Sequence, residues 1–223
     1  MNRVFQSMTA ILAFTAAVQT ANAADYRRPP PPEYPVKAAP LRVFDWSGFY
    51  VGINGGYGWG TSRYDFGAAG IDRFNVNGGL AGGTIGYNYQ IGQTVLGIEG
   101  DFDWQNVKGS TACPAGIGIC ETKSNWLGTV RGRLGYAIDR FMPYVTGGAA
   151  FGDVKANIPG LGSQSDTRTG WTVGGGAEYA FAPNWTVKAE YLYVDLGKFT
   201  CNLCGANVKF NENIVRAGLN YKF

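Results

Sequence analysis

From Trp46 to Phe223 the chain alternates, with apolar residues at every second position and polar residues or glycine between them. In Phe49–Trp59 the apolar set is Phe49, Val51, Ile53, Tyr57 and Trp59, with Tyr50, Gly52, Asn54 and Gly56 in between. In Val215–Phe223 the set Val215, Ala217, Leu219, Tyr221 and Phe223 stands against Arg216, Asn220 and Lys222. A period of two held over such lengths describes strands with two different faces, not helices.

Eight such segments can be laid out, approximately 47–60, 77–90, 94–108, 124–138, 141–156, 167–180, 185–198 and 210–223. The gaps 91–93, 139–140 and 181–184 are tight, while 61–76, 109–123, 157–166 and 199–209 are long, polar and rich in Gly, Ser and Asn. This alternation predicts an all-β fold: an eight-stranded antiparallel up-and-down transmembrane β-barrel with short periplasmic turns and four long extracellular loops. A repeat fits the same layout. GGTIGYNY, RGRLGYAI, GGGAEYAF and RAGLNYKF end the second, fourth, sixth and eighth segments. They align Tyr87, Tyr136, Tyr179 and Tyr221, which with Phe223 form a predicted periplasmic aromatic girdle.

The polar faces carry Glu99, Asp101, Asp103, Arg131, Arg133, Glu178, Lys188, Glu190, Arg216 and Lys222. A soluble sandwich would bury the apolar faces and leave these charges in water; a membrane barrel inverts the arrangement. Aromatics near strand ends and mid-strand charges of both signs favour the barrel. Eight strands leave an interior just filled by side chains. The ten charges are therefore predicted to form a lumen ion-pair network, with a narrow porin-like channel for small solutes or ions as the alternative.

The chain has no His, which removes imidazole-dependent catalysis and His-ligated metals. Paired carboxylates such as Asp101 and Asp103 read as ion-pair members. No enzyme activity, cofactor or metal is expected. A net charge of +3 gives no case for nucleic acid. The 34 glycines suit a narrow, strongly curved barrel.

Residues 1–23 read as a signal peptide: Arg3, an apolar run from Met8 to Val18, then Ala21-Asn22-Ala23 as the cleavage signature. Residues 24–45, with six of the ten prolines, read as a Pro-rich periplasmic tail, and 46–223 as the barrel domain. Cys113 and Cys120 share one predicted loop, Cys201 and Cys204 another. In an exported chain local disulfides are the expectation, since six residues between the first two cysteines is not the usual spacing for half of a four-cysteine zinc site.

The blocks WSGFYVGINGGYGWG (46–60), VLGIEGDFDW (95–104), WLGTVRGRLGYA (126–137), PYVTGGAAFG (143–152), GWTVGGGAEYAFAPNWTVKAEYLYVDLG (170–197) and VRAGLNYKF (215–223) resemble, in order, the alphaproteobacterial porin-family small outer-membrane β-barrels. These are major outer-membrane antigens of the Brucella and rhizobial type, related in architecture to the OmpA transmembrane barrel. The resemblance implies a multi-pass protein of the Gram-negative outer membrane with an envelope-structural and surface-interaction role. Its implied partners are outer-membrane lipid and lipopolysaccharide, the barrel-assembly machinery through C-terminal Phe223, and a host or surface ligand.

Overall fold

The computed structural model describes residues 43–65, 71–112, 119–158, 162–201 and 206–223. The predicted signal peptide, the tail as far as residue 42, and Cys113 and Cys204 lie outside the described residues. Eight strands follow one another: β1 (Gly48–Asp65), β2 (Ile71–Ile91), β3 (Thr94–Ala112), β4 (Ile119–Tyr136), β5 (Phe141–Ile158), β6 (Gly162–Ala180), β7 (Trp185–Cys201) and β8 (Ala206–Lys222). Each pairs antiparallel with the next, and β8 pairs back on β1, closing the barrel.

The strands differ from the sequence reading at one end only. β1 runs to Asp65, β2 begins at Ile71, β4 at Ile119 and β8 at Ala206, so much of each predicted loop is strand. Cys120 stands on β4 opposite Thr111, and Cys201 on β7 opposite Ala206, not in loops. Ladder hydrogen bonds do not require an apolar face. The period-two signal fades where the outer face turns polar, but the pairing continues. Register shifts between Trp104 and Val107, Ser124 and Leu127, and Asp195 and Lys198 mark that transition. Bulges are common at such barrel rims.

At the opposite end the turns are tight. Gly92 (φ 61°) and Asp139 (φ 51°) occupy left-handed conformations there, which Gly and Asp tolerate best. The chain ends at this rim, where the Phe223 N–H donates to the Phe49 carbonyl at 3.0 Å.

Alternation sorts the two faces. Phe49, Ile53, Ile85, Ile98, Val145 and Trp104 are among the exposed outward residues, while Arg131, Lys188, Glu190 and Arg216 are buried inward. The apolar band is edged by aromatics. Tyr87, Tyr136, Tyr179 and Tyr221 are outward at the turn end, with Tyr221 packed against Trp185 and Phe223 at 5.1 and 5.3 Å. Trp59, Trp104 and Trp171 are exposed at the other rim, and Trp126 stacks on Phe102 at 5.7 Å. An apolar exterior around a charged interior is stable only against lipid.

Candidate functional site: a filled lumen

Three layers fill the interior. At the turn end, Trp46, Val95, Ala137, Met142 and Ala180 form an apolar plug, with Phe44 packed against it. Trp46 belongs to the segment before β1, not to the wall. Its indole N–H donates to the Asp139 carbonyl at 3.0 Å, and its backbone N–H to Gln90 Oε1 at 2.8 Å. Asp45, next to it, accepts the Ser47 backbone N–H at 2.9 Å, and this bond holds its carboxyl below the ordinary carboxylate range.

The middle layer is ionic. Arg131, from β4, donates to Glu190 Oε1 and Asp101 Oδ2, both at 2.8 Å, and also to Glu99. Arg216, from β8, donates to Glu190 Oε2 at 2.8 Å, Asp101 Oδ1 at 2.9 Å and Asp103 Oδ2 at 2.7 Å. Lys188 Nζ reaches Glu99 at 2.9 Å. Arg133 bonds Glu178 at 2.6 Å and lies 3.9 Å from the centroid of the Tyr144 ring. These contacts join β3, β4, β6, β7 and β8 across the lumen. Neutral donors complete the carboxylates: Tyr50 bonds Glu99 at 2.8 Å, Thr129 bonds Asp101 at 2.7 Å, and Asn220 bonds Glu178 at 2.9 Å.

Glycines let these groups approach the wall. A Cβ on Gly56 would lie 2.2 Å from the Val215 carbonyl and 2.6 Å from Arg216 Cβ. Multiple charge-assisted bonds make the arginines rigid struts, because each is held from several directions.

Nine of the ten charges singled out by alternation stand in this layer. Lys222 does not. It is half-buried at the turn-end rim, donates to the Asp45 carbonyl and sits 5.0 Å from the Phe44 ring centroid. Next to the chain end, it has passed the lumen's closed section. Four bases, Arg131, Arg133, Lys188 and Arg216, therefore face five acids, not an equal number. A further acid, Glu212, is fully buried beyond them, and neither of its carboxylate oxygens has a hydrogen-bond partner. Tyr50, Tyr144 and Glu212 occupy the same parity as the charges, so alternation carried their signal too.

The third layer, toward the long-strand end, is built round an apolar cluster, with Ser62, Gln105, Ser124 and Glu212 also buried there. Phe74, Val76, Leu80, Leu127, Leu192 and Ile214 belong to it. The ionic layer thus lies between two clusters of buried apolar side chains. It can act as a lock between strands; a wide aqueous path would need these contacts to part.

A family model described as an outer membrane protein beta-barrel domain matches residues 9–223. The 31 kDa outer-membrane immunogenic protein of Brucella melitensis biotype 1 is 46% identical over 211 residues, covering 83% of this chain and 87% of that protein. The 25 kDa outer-membrane immunogenic protein of Brucella abortus biovar 1 is 35% identical over 216 residues, covering 96% and 94%. The 22 kDa outer membrane protein of Rhizobium leguminosarum bv. viciae is 36% identical over 194 residues, covering 86% and 82%. Among solved structures, Neisserial surface protein A matches with a TM-score of 0.45 and 20% identity, covering 79% of this chain and 98% of that one.

Proposed function

The chain belongs to the outer membrane protein beta-barrel domain family, and from that premise we propose that it is a closed, surface-displayed structural barrel of the envelope, without catalysis and without an open pore. It resides in the outer membrane of Gram-negative cells. The observation that carries the closed-barrel reading is the lumen filling. Arg131 and Arg216 are each held by three carboxylates, between apolar layers on either side. Breaking such buried pairs strands charges in a low dielectric, so a resting aqueous path is disfavoured. The absence of His from the sequence supports a non-catalytic role.

Surface display is supported by the names of the Brucella relatives, which are immunogenic outer-membrane proteins. The strands that extend past the outer aromatic rim supply the displayed surface. Local disulfides, Cys113–Cys120 and Cys201–Cys204, would tie its connections. At the other end Phe223 would present the barrel to the assembly machinery.

Conductance in planar bilayers tests the reading. Protein verified as folded by faster migration of the unheated sample in SDS should give a silent membrane. Steady, ion-selective steps from that same sample would replace the closed barrel with the narrow channel.

A further inference from the structure

One seam of the barrel stops short of the others. Beyond the outer aromatic rim β5 stays paired with β6 as far as Ile158 opposite Gly162, and β7 with β8 as far as Cys201 opposite Ala206. Between β6 and β7 the last pair among the described residues is Trp171 opposite Asp195, at the rim itself. Residues 162–170 of β6 are therefore paired on one side only. β2 and β3 also lose their pairing beyond Asn77 and Lys108, but they stay in contact: a Cβ on Gly109 would lie 2.6 Å from the Asn75 carbonyl.

A bulge parts β7 from β6. β7 carries one extra residue against β8 between Asp195 and Lys198. Gly197 takes a left-handed φ of 76° there, and Asp195 Oδ1 accepts its N–H at 2.8 Å. Such a bulge bends its strand and strengthens the local twist. Asp195 Oδ2 is tied to Lys209 of β8 at 3.3 Å, so β7 follows β8 from this point. A Cβ on Gly170 would still collide with the Asp195 carbonyl, whereas one on Gly197 would meet nothing within 4 Å. The gap does not reach the lumen. Leu196 is buried behind it, its Cδ1 3.0 Å from the place of a Cβ on Gly152 of β5.

A bare strand edge presents a line of main-chain N–H and C=O groups, and another extended backbone satisfies both kinds along its whole length. The edge of β6 rises away from the lipid. Nine residues at about 3.3 Å each, tilted near 40°, carry it roughly 20 Å beyond the rim. Its sequence, GSQSDTRTG, holds no proline and no lysine, the common guards of an exposed edge. Thr167 and Thr169 are exposed on it, and Thr suits cross-strand pairing.

We propose that the free edge of β6 binds an extended segment of another polypeptide, which adds as an antiparallel strand in the place that β7 vacates. The direction is that of the ladder it continues, since β6 and β7 are antiparallel up to Trp171. The inference rests on the outward display of the strand extensions and gives that surface a partner class. Binding to protein in micelles is read without the cell, so it stands or falls apart from display and from conductance.

The probe is the peptide AAFGDVKANI, copied from residues 149–158 of β5, which pair with the opposite edge of β6. On the free edge it would meet the same β6 neighbours. Labelled peptide is titrated with the folded full chain in zwitterionic micelles and read by fluorescence anisotropy. Two N-methylated forms decide the mode, one methylated at every even residue and one at every odd residue. In an antiparallel ladder only alternate residues turn their N–H toward a given neighbour. One form should therefore bind more than about tenfold more weakly than the parent peptide, and the other about as well. Deleting Gly197 removes the extra residue of the bulge and returns β7 to a single register against β8, so β7 should reclose on β6 and weaken the parent peptide by a similar factor. Unheated gel mobility shows whether that variant has folded; the two methylated peptides test the natural chain without it. No binding by the folded natural chain, equal binding of the two methylated forms, or unchanged binding after the deletion in a folded variant would overturn the proposal. So would a folded chain that runs as a dimer and excludes the peptide, which would give the edge to a second copy.

Discussion

Arg216 on β8 and Asp101 on β3 meet across the lumen, Nη1 to Oδ1 at 2.9 Å, although 115 residues separate them in the chain. The same guanidinium holds Asp103 and Glu190. Arg216→Met would leave three carboxylates short of a cation in a layer that already has more acids than bases. We expect a loss of about 3–5 kcal/mol, read as a lower temperature for the gel-shift transition from the fast to the slow band. Asp103→Asn removes charge from the surplus side and leaves Arg216 two carboxylates, so its loss should be clearly smaller. Equal losses would mean that the layer is not charge-limited.

The lumen was legible in the sequence because alternation assigns a face at every position between Phe49 and Trp59, or between Val215 and Phe223. Strand order followed from the alternating gap lengths. Alternation failed in three places, each for a physical reason. It placed Lys222 inside, since parity says nothing about where a tapering lumen ends. It stopped β1 near residue 60 because Thr61 and Arg63 give the outer face no apolar signal, although the ladder continues to Asp65. It left Trp46, just before the first segment, without a place in the interior, whereas the ring folds under the mouth as a stopper, which is a property of a chain reversal and not of a strand.

Trp46 makes the turn-end plug testable. Its ring is buried and its indole N–H is satisfied by Asp139. Trp46→Ala should cost about 3–5 kcal/mol through the cavity it leaves and the lost bond. Conductance should stay silent, because the ionic layer and the upper apolar layer remain. Steady channel activity in Trp46→Ala would show instead that the plug alone seals the lumen.

Gly55 and Gly56 are sequence neighbours with opposite surroundings. A Cβ on Gly55 points outward and meets only the Leu80 carbonyl, at 3.7 Å. A Cβ on Gly56 collides with the Val215 carbonyl and with Arg216. Gly55→Ala should therefore leave the transition within about 1 kcal/mol of the natural chain. Gly56→Ala should lose about 1–3 kcal/mol by overpacking. A reversed order would place the lumen on the other face of β1.

Glu212 is the acid the lumen does not accommodate. It is fully buried opposite Gly60 and Val194, with both carboxylate oxygens unpartnered. On its own strand, Phe210 and Ile214 are buried on the same face, in the apolar layer. A buried polar group without a hydrogen bond costs about 1–3 kcal/mol by the measure of protein variants. Glu212→Leu replaces it with a side chain suited to the layer, so it should stabilise the barrel by about that amount. Glu190→Leu is the control from the same face. Glu190 is bonded by Arg131 and Arg216, so its removal should destabilise instead. The two substitutions should shift the heat-modifiable transition in opposite directions; a fall in both would mean that Glu212 is held by contacts beyond those described.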